Sequence, residues 1–559
     1  MTVCSGPSLD GVVPFPPEFQ ARYRAKGYWE DRPLVSHFQE RFERFAGRTA
    51  VIDGERRVTY RELGQQAERV ALNLLDLGLR PLDRVVVQLP NTLEFVQLYF
   101  GLQLIGAIPF MALPSHRFRE VNQFVQLSGA VATATPLAAR DVAFTELVSR
   151  VQAGNPFLRL GLVLADEGKT IPAGFTSVRD VLTNRPRHTP ADLAAIQANI
   201  NPCDPCCFQL SGGTTGIPKL IPRTHNDYAF NSKLATTVTD IRDGDVLLDL
   251  LPISHNLPLA CPGLQGFLLR GATVVMGQST RPADVFAQVQ QHRVTHIHVV
   301  PALLIRWVND PAVEHCDLAS VRVIQSGGQR MQPDTRLRTE RVFPNCTVQE
   351  NFGMSEGLIM FVRLDDPPEV RLETCGRPIC PDDEVRLVDD DDNDVPDGEV
   401  GELLARGPYT LRGYFRSPEH NARAFTTDGF YRSGDLLRKH PSGNYVVEGR
   451  KKDLINRGGE KISAEEVENL ILGHPSVQNV ACVAMPDPLL GERMCACVLL
   501  KPGRSLTFDE LVTFLQSEEI ARHKLPERVE IFDEFPLSPI GKVSKKDLVT
   551  LVAERVATP

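Results

Sequence analysis

A segment rich in glycine and threonine is the part of the sequence best suited to chemistry. Residues 211–219 read Ser-Gly-Gly-Thr-Thr-Gly-Ile-Pro-Lys. Glycines reach backbone conformations closed to other residues, so successive N–H groups can point at one anion, while the hydroxyls and the lysine add donors. A Walker A loop is excluded, because Pro218 precedes Lys219 and Leu220 stands where a Ser or Thr would bind magnesium. On this segment alone, a phosphate-binding loop and a plain surface loop both remain open.

The stretches on either side of this loop alternate between strand-like and helix-like patterns. Apolar residues spaced along one face predict a helix from Tyr60, Arg84–Leu89 is a short β-branched run, and Glu94–Leu104 is again helical in pattern. Near-continuous apolar runs, which are typical of strands covered on both faces, follow at 246–251, 272–276 and 295–300. This rhythm predicts βαβ units, and therefore an α/β protein with parallel-rich sheets packed with helices.

The last third of the chain has a different pattern. Glu384–Val388 and Val400–Ala405 read as two antiparallel strands joined by an acidic turn. Ser463 and Glu466 have the spacing of a capping box, in which the hydroxyl bonds one free helix N–H and the carboxylate reaches back to another. From about residue 453 onward, the pattern predicts a small, self-contained α+β domain.

Length and composition limit the possible functions. The chain has 559 residues with ordinary apolar and charged fractions, which excludes a disordered or fibrous protein. Its formal net charge of −9 disfavours nucleic acid and anionic membrane as main partners. There is no run of 18 apolar residues and no signal-like N-terminus, and twelve scattered cysteines suit a reducing compartment. We therefore expect a cytoplasmic protein that binds neither nucleic acid nor membrane.

Six segments in a fixed order resemble the motifs of the adenylate-forming superfamily, which includes acyl-CoA synthetases, peptide-synthetase adenylation domains and firefly luciferase. They are residues 211–219, 351–356, 431–435, 449–453, 457–462 and 536–545. Within that superfamily the chain is most similar to the stand-alone aryl-acid AMP ligases of siderophore assembly, of the salicylate and 2,3-dihydroxybenzoate type. The segments that carry this closer resemblance are residues 13–16, 113–116, 220–225 and 255–258.

The resemblance implies a fold and a reaction. The fold would be α/β, with a large N-terminal domain at 1–449 that contains a small β-barrel-like part, a hinge at 450–453, and a small mobile α+β lid domain at 454–559. In the reaction, the carboxylate of an acid would attack the α-phosphorus of ATP in the presence of Mg²⁺ and release pyrophosphate. A phosphopantetheine thiol would then take the acyl group from the adenylate.

The resemblance also assigns the nucleotide site. Phe352 would stack on adenine, Asp435 would accept hydrogen bonds from the ribose diol, and Glu356 would be the carboxylate that binds the metal. The residues expected to contact ATP are Ser211, Gly212, Gly213, Thr214, Thr215, Gly216, Lys219, Gly327, Gly328, Asn351, Phe352, Gly353, Asp435 and Arg450.

The first step brings one anion against another, so it needs positive charge placed between them. The resemblance gives this role to Lys542 in the lid domain, and expects His255 to line the pocket or to gate entry of the carboxylate. Lys452 occupies the hinge position, where rotation would replace Lys542 with a thiolation loop. That loop would contain Gly458, Gly459 and Lys461.

The acyl pocket is expected at Asn256, Leu257, Cys261, His298, Ser326, Gly327 and Ile359. A neutral Asn256 suits an ortho phenol, which an amide can meet as donor or as acceptor, and disfavours an α-ammonium group. By resemblance, Cys261 and Ile359 favour a salicylate-like acid over 2,3-dihydroxybenzoate. Leu257, His298 and Ser326 depart from the family pattern and keep heteroaryl acids (hydroxypicolinate or quinaldate) and aminobenzoates open.

The thiol acceptor and two other functions also remain open. No Gly-Gly-x-Ser carrier signature occurs near the end of the chain, so the expected acceptor is a separate holo aryl carrier protein. This would make the enzyme the supplier of a starter unit for a nonribosomal peptide or siderophore. The alternatives are an aryl-CoA synthetase and a non-catalytic nucleotide-binding protein.

Overall fold

A computed structural model describes residues 6–139, 142–211, 219–328, 331, 333–457, 460–487, 490–518, 520, 522–538 and 542–557. The strands are β1 Thr49–Asp53, β2 Arg56–Thr59, β3 Arg84–Val87, β4 Ile108–Met111, β5 Ala132–Pro136, β6 Ala138–Ala139, β7 Val142–Ala143, β8 Leu160–Leu164, β9 Thr176–Ser177, β10 Pro205–Leu210, β11 Leu220–Thr224, β12 Val246–Asp249, β13 Thr273–Met276, β14 His296–Val299, β15 Val323–Gly327, β16 Thr347–Gly353, β17 Ile359–Phe361, β18 Arg377–Pro378, β19 Glu384–Val388, β20 Val400–Arg406, β21 Tyr431–Lys439, β22 Tyr445–Arg450, β23 Leu454–Arg457, β24 Glu460–Ser463, β25 Val477–Asp487, β26 Gly491–Leu500 and β27 Arg528–Phe532.

The helices lie between these strands. They are α1 Pro17–Ala25, α2 Leu34–Arg44, α3 Tyr60–Asp76, α4 Leu93–Leu104, α5 Phe118–Ser128, α6 Phe144–Gly154, α7 Val178–Thr183, α8 Pro190–Gln197, α9 His225–Val238, α10 Asn256–Ala260, α11 Gly263–Arg270, α12 Pro282–His292, α13 Pro301–Val308, α14 Pro333–Val342, α15 Pro368–Glu373, α16 Pro418–Ala424, α17 Ala464–Ile471, α18 Phe508–Ser517 and α19 Lys545–Ala557, with 3₁₀ turns at Pro311–His315, Lys451–Asp453 and Arg522–Lys524. No helix within these described ranges is long and apolar enough to cross a membrane.

Two large sheets form most of the N-terminal domain. The first has nine strands in the order β18-β17-β16-β15-β14-β12-β13-β1-β2, and its central pairs from β16 to β1 are parallel. The second has seven strands in the order β11-β10-β4-β3-β5-β8-β9 and is parallel except for the β10–β11 hairpin. The predicted parallel-rich α/β architecture is confirmed.

The predicted elements of this domain are also confirmed. The helix expected from Tyr60 is α3, capped by Thr59 and Glu62, and the helix expected at Glu94–Leu104 is α4. The apolar runs at 246–251, 272–276 and 295–300 form β12, β13 and β14, each shorter by one or two residues. Helices α2, α3, α4, α9 and α11 contribute to one large apolar core that also contains residues of both sheets.

A third sheet follows the two large ones. It is antiparallel, with the strand order β19-β20-β21-β22, and β19 and β20 are the two strands predicted around the acidic turn. This sheet is the part of the chain that we expected to resemble a β-barrel. Its described strand order begins at β19 and ends at β22.

The C-terminal domain has its own sheet and core. Strands run in the order β24-β23-β26-β25, with β27 paired to β26, and helices α17, α18 and α19 pack with them. The Ser463 hydroxyl accepts from the Glu466 N–H as predicted. The second half of the expected capping box is wrong, because both Glu466 oxygens instead accept from the Lys524 ammonium, 2.6 and 2.7 Å away, which gives stronger, charge-assisted hydrogen bonds.

Candidate active site

A cavity lies where the parallel strands of the first sheet end, which is where open α/β sheets bind ligands. Its wall is formed by the segment after β12, by the ends of β15 and β16, by β17, and by one residue of the C-terminal domain. The lining residues are Leu251, Pro252, His255, Asn256, Leu257, Cys261, Val300, Gly327, Gly328, Asn351, Gly353, Met354, Ser355, Ile359, Phe361 and Lys542.

Lys542 is the residue that the C-terminal domain contributes to this cavity. Its backbone N–H donates to the Ser538 hydroxyl over 3.1 Å, and its side chain lies against Gly328. A Cβ atom on Gly328 would stand 2.9 Å from the Lys542 Nζ, and Gly328 has a φ of +88°. Burial lowers the pKa of Lys542 to about 8, with a further lowering by the Arg450 charge and an opposing effect of Asp435. The ammonium therefore points into the cavity beside other charged groups.

His255 lies in the same wall, just before α10. Its N–H donates to the Pro252 carbonyl over 2.8 Å, which fixes the turn after β12. Burial, and then the positive charge of Lys542, lower the pKa of His255 to about 4. The imidazole is therefore neutral at pH 7 and can meet an ionised carboxylate only by donating its one N–H.

Asp435 and Arg450 form an ion pair across the third sheet. They are partners in the β21–β22 register, with 2.8 Å between Arg450 Nε and Asp435 Oδ1. Both affect the pKa of Lys542, so all three charges lie near one another at the domain junction. The pair stands where β22 ends and the chain passes into the C-terminal domain.

Glu356 is buried behind the cavity and is held by a tyrosine. The Tyr414 hydroxyl donates to Glu356 Oε1 over 2.8 Å and lies 2.9 Å from the Tyr431 hydroxyl. Burial raises the pKa of Glu356, the hydrogen bond from Tyr414 opposes this effect, and the negative charge of Asp435 adds to it. The carboxylate is therefore close enough to Asp435 to interact with it electrostatically.

The two described ends of the expected phosphate loop are bonded to each other. The Ser211 N–H donates to the Lys219 carbonyl and the Lys219 N–H donates to the Ser211 hydroxyl, both over 3.1 Å, so the two ends of the loop are joined. Ile221, just beyond the loop, packs with Tyr414 and Tyr431. Gly212, Gly213, Thr214, Thr215 and Gly216 lie outside the described residues, and their contacts with phosphate stay predictions.

Gly327 and Asn351 form a further part of the wall. They are register partners on β15 and β16, and a Cβ on Gly327 would stand 2.9 Å from the Asn351 Cγ. The Asn351 Nδ2 is buried and has no hydrogen-bond partner among the described residues. A buried amide donor without a partner is costly, and a ligand acceptor would satisfy it.

Phe352 is not brought into the cavity lining. Successive side chains of a strand point to opposite faces, so Phe352 faces away from Asn351 and Gly353. Its half-buried ring packs with residues such as Met360 and Leu403. Stacking of this ring on adenine stays a prediction.

The expected acyl-pocket residues separate into two groups. Asn256, Leu257, Cys261, Gly327 and Ile359 all line the cavity. His298 and Ser326 do not, although both are fully buried.

Strand geometry explains this separation. His298 is two residues before Val300 and so lies one step below the cavity on the same side of β14, packed against Phe267. Ser326 lies one residue before Gly327 and therefore on the opposite face of β15. The Ser326 hydroxyl has no hydrogen-bond partner within the described part of the chain.

The hinge and thiolation residues occupy the expected place in the chain. Lys452 is in the 3₁₀ turn Lys451–Asp453 between β22 and β23, and Lys461 is on β24. Gly458 and Gly459 lie outside the described residues. The roles of all four stay predictions.

Sequence reasoning missed several residues of the site. Six lining residues follow or lie close to strand ends, which is the signal that could have found them: Leu251, Pro252, Val300, Met354, Ser355 and Phe361. Tyr414 carried no signal, because nothing in its local sequence places it beside Glu356.

Comparison with known proteins is consistent with this arrangement. A profile described as AMP-binding enzyme matches residues 38–415, and one described as AMP-binding enzyme C-terminal domain matches residues 466–542. The chain is 46% identical, over 97% of its length and 98% of the relative, to a Streptomyces protein named salicylyl-CoA synthase / salicylate adenylyltransferase. It is 42% identical, over 97% of its length and 94% of the relative, to a Mycobacterium tuberculosis protein named salicyl-AMP ligase / salicyl-S-ArCP synthetase. The solved apo structure of MbtA from Mycobacterium smegmatis is 40% identical, covers 97% of this chain and 98% of its own, and superposes with a TM-score of 0.72.

Proposed function

Because the chain belongs to the AMP-binding enzyme family, we propose that it is an ATP-dependent aryl-acid AMP ligase. It converts a salicylate-like 2-hydroxyaryl carboxylic acid to an aryl-adenylate and pyrophosphate. It then transfers the aryl group to the phosphopantetheine thiol of a separate carrier protein, as the starter unit of a nonribosomal peptide or siderophore. The two relatives named for salicylate support the acid, and the one named salicyl-S-ArCP synthetase supports the carrier. The use of ATP supports a cytoplasmic location.

The position of Lys542 is the observation that carries this proposal. Its ammonium reaches from the C-terminal domain into a cavity whose wall contains Asn256, Cys261 and Ile359. Attack of a carboxylate on a phosphate brings two negative groups together, and a buried cation held between them stabilises the transition state. His255, neutral and next to this cation, leaves the positive charge of Lys542 free to meet the carboxylate.

The nucleotide is assigned to the charged junction beside Lys542. The Asn351 amide without a partner suits a hydrogen-bond acceptor on adenine, and the Asp435–Arg450 pair suits the ribose. Magnesium usually takes one or two protein carboxylates together with substrate phosphates, and the buried Glu356 carboxylate fits that donor set. When bound, Mg²⁺ would neutralise phosphate charge, and Tyr414 would hold the Glu356 carboxylate in position.

The proposal is tested by ATP–pyrophosphate exchange. The acids are salicylate, 2,3-dihydroxybenzoate, 3-hydroxypicolinate, anthranilate and quinaldate, each with Mg²⁺ and purified full-length protein. We expect exchange above background, fastest with salicylate. The variant Lys542→Ala should reduce exchange by about 10²–10³-fold, because one preorganised charge is removed from the transition state.

Three results would contradict all or part of the proposal. Background exchange with every acid would favour a non-catalytic nucleotide-binding protein, and undiminished exchange in the Lys542→Ala variant would remove this residue from the reaction. A faster rate with 2,3-dihydroxybenzoate than with salicylate would show that Cys261 and Ile359 were misinterpreted.

Coenzyme A is the second candidate acceptor, because one relative is named a salicylyl-CoA synthase. The two acceptors share the first step and differ only in the thiol that ends the reaction. Thioester formation with coenzyme A and with a holo aryl carrier protein, measured at equal thiol concentration, separates them. We expect the carrier protein to be preferred, and a preference for coenzyme A would identify an aryl-CoA synthetase.

A further inference from the structure

The acyl wall of the cavity is the part lined by Asn256, Leu257, Cys261 and Ile359. Tyr228 lies behind this wall, in contact with Asn256, and the proposed reaction assigns it no role. It is on α9, its side chain is fully buried, and its hydroxyl is 2.9 Å from Asn256 Oδ1. The Gln209 Nε2 lies on the other side of this hydroxyl, at 3.3 Å. Beneath the Tyr228 ring, the Arg223 guanidinium stands 4.6 Å from the ring centroid, which holds the ring from one face.

The single phenol proton of Tyr228 goes to Asn256, whose Oδ1 accepts it over 2.9 Å. The phenol oxygen in turn accepts from the Gln209 Nε2 over 3.3 Å. If the Asn256 amide were reversed, its NH₂ would meet a phenol that already accepts from Gln209, and the phenol proton would have no acceptor among the described residues.

With its oxygen held by Tyr228, Asn256 turns its NH₂ group the other way. The Asn256 Nδ2 donates to the Cys261 Sγ over 3.3 Å, and both residues line the cavity. Asn231 donates to the same sulfur over 3.4 Å, so the thiol is already supplied with donors. One N–H of Asn256 thus remains for a ligand in the cavity.

We propose that Tyr228 is a positioning residue that fixes the Asn256 amide with its NH₂ toward the aryl acid. The site then selects an ortho substituent that accepts a hydrogen bond and rejects one that can only donate. This inference rests on the proposed function and narrows its substrate class, because it places 2-hydroxyaryl acids ahead of 2-aminoaryl acids.

The chemistry of the two acids makes this selection specific. In salicylate the phenol proton bonds the neighbouring carboxylate, and the phenol oxygen turns a lone pair outward to accept from Asn256. In anthranilate one amine proton bonds the carboxylate and the other points outward, so two donors face each other. A site built around one hydrogen-bond polarity leaves polar groups unpaired when the opposite polarity enters.

The test compares Tyr228→Phe with the unchanged enzyme on salicylate, anthranilate and benzoate. Phenylalanine keeps the ring and removes only the hydroxyl, so the Asn256 amide becomes free to turn. We expect the salicylate-to-anthranilate ratio of kcat/KM in pyrophosphate exchange to fall by about tenfold, the value of roughly one hydrogen bond. The loss should be mainly in the KM for salicylate, because the ortho contact is the same in ground and transition states. Benzoate, which has no ortho group, should change little.

The matched control is Tyr60→Phe. Tyr60 is also fully buried, and its hydroxyl donates to the Ala272 carbonyl over 2.6 Å away from the lining residues. It should leave the acid ratio unchanged whatever it does to stability. A purely structural role of Tyr228 would lower the rates for all three acids in proportion, and that result would overturn the inference.

The remaining outcomes separate this inference from the proposed function. If the unchanged enzyme exchanges pyrophosphate with no aryl acid, the proposed function fails. If it exchanges and uses anthranilate as well as salicylate, or if Tyr228→Phe leaves the ratio intact, only the orientation of the Asn256 amide is wrong.

Discussion

At the scale of single residues, the protonation state of Lys542 determines when the proposed first step can occur. Its pKa is lowered to about 8, first by burial and then by the Arg450 charge. The ammonium is the form that stabilises the transition state, so it is fully present well below pH 8 and is lost as the pH rises through 8. Burial is the larger of the two causes, so the lowered pKa depends on the packing of Lys542 between the two domains.

We expect kcat/KM for the aryl acid to fall about tenfold per pH unit above about pH 8, because kcat/KM reports the free enzyme. The measurement is pyrophosphate exchange from pH 6 to 10 with both the acid and ATP subsaturating, so that the free enzyme is the form that titrates. In the Lys542→Arg variant the charge persists throughout this range, so the fall should disappear even if the overall rate is lower. A profile of the unchanged enzyme that stays flat to pH 10 would contradict the prediction. A fall that persists in the arginine variant would show that a group other than Lys542 causes it.

The residues that carry charge could be predicted from the sequence, and those that orient them could not. Lys542, Asp435 and Glu356 are in local motifs, each with a recognisable spacing. Tyr228 and Tyr414 act through contacts with residues 28 and 58 positions away along the chain. Such pairings depend on how helices and strands pack, and a local pattern of residue types does not contain that information.

At the scale of elements, the β11–α9 junction supports the acyl wall. Arg223 is the last residue but one of β11, and its Nε donates to Asp227 Oδ1 over 2.9 Å, with both side chains almost fully buried. Asp227 also caps α9 by accepting from the Thr224 N–H and hydroxyl. One carboxylate thus compensates a buried cation and fixes the start of the helix that carries Tyr228.

We expect Asp227→Ala to lower the stability of the large domain by about 3–5 kcal/mol, because it leaves the Arg223 charge buried without a partner. The measurement is urea unfolding followed by tryptophan fluorescence, since Trp29 and Trp307 are both buried in that domain. The matched control is Asp192→Ala, which removes the same position of a capping box on α8. Asp192 is exposed and forms no ion pair with any residue that the structure describes. Equal shifts in the two variants would show that the ion pair contributes nothing beyond the cap.

The alternation of strand residues accounts for the part of the site that the sequence could not locate. Strand β14 was predicted and β15 was not, and the level at which the cavity closes above both strands was not predicted either. His298 and Ser326 therefore fell among the expected pocket residues, although one lies a step below the cavity and the other faces away from it. An error of one or two residues along a strand changes the face or the depth of a side chain.

At the scale of the whole molecule, the cavity is completed by two domains that meet at Lys542. The large domain supplies Asn256, Cys261, Gly327 and Gly328, and among the described residues of the C-terminal domain the lysine lines the cavity. The family resemblance predicts that the hinge at 450–453 later withdraws this lysine for the thiol step. The two half-reactions should then differ in their sensitivity to the contact between Lys542 and Gly328.

The variant Gly328→Ala tests this difference. Its Cβ would stand 2.9 Å from the Lys542 Nζ and so displace the ammonium, while the φ of +88° adds backbone strain. Because a misplacement of about 1 Å can cost on the order of 100-fold, adenylate formation should fall by about that factor. Thioester formation from a supplied aryl-adenylate, which does not need the lysine, should fall at least tenfold less. Gly78→Ala is the matched control, since Gly78 has a φ of +89° and nothing within 4 Å of its Cβ position, so it carries the strain without the contact. Equal slowing of both half-reactions by Gly328→Ala would contradict this prediction. It would mean that Lys542 stays beside residue 328 during the thiol step, where the added Cβ disturbs both reactions in the same way.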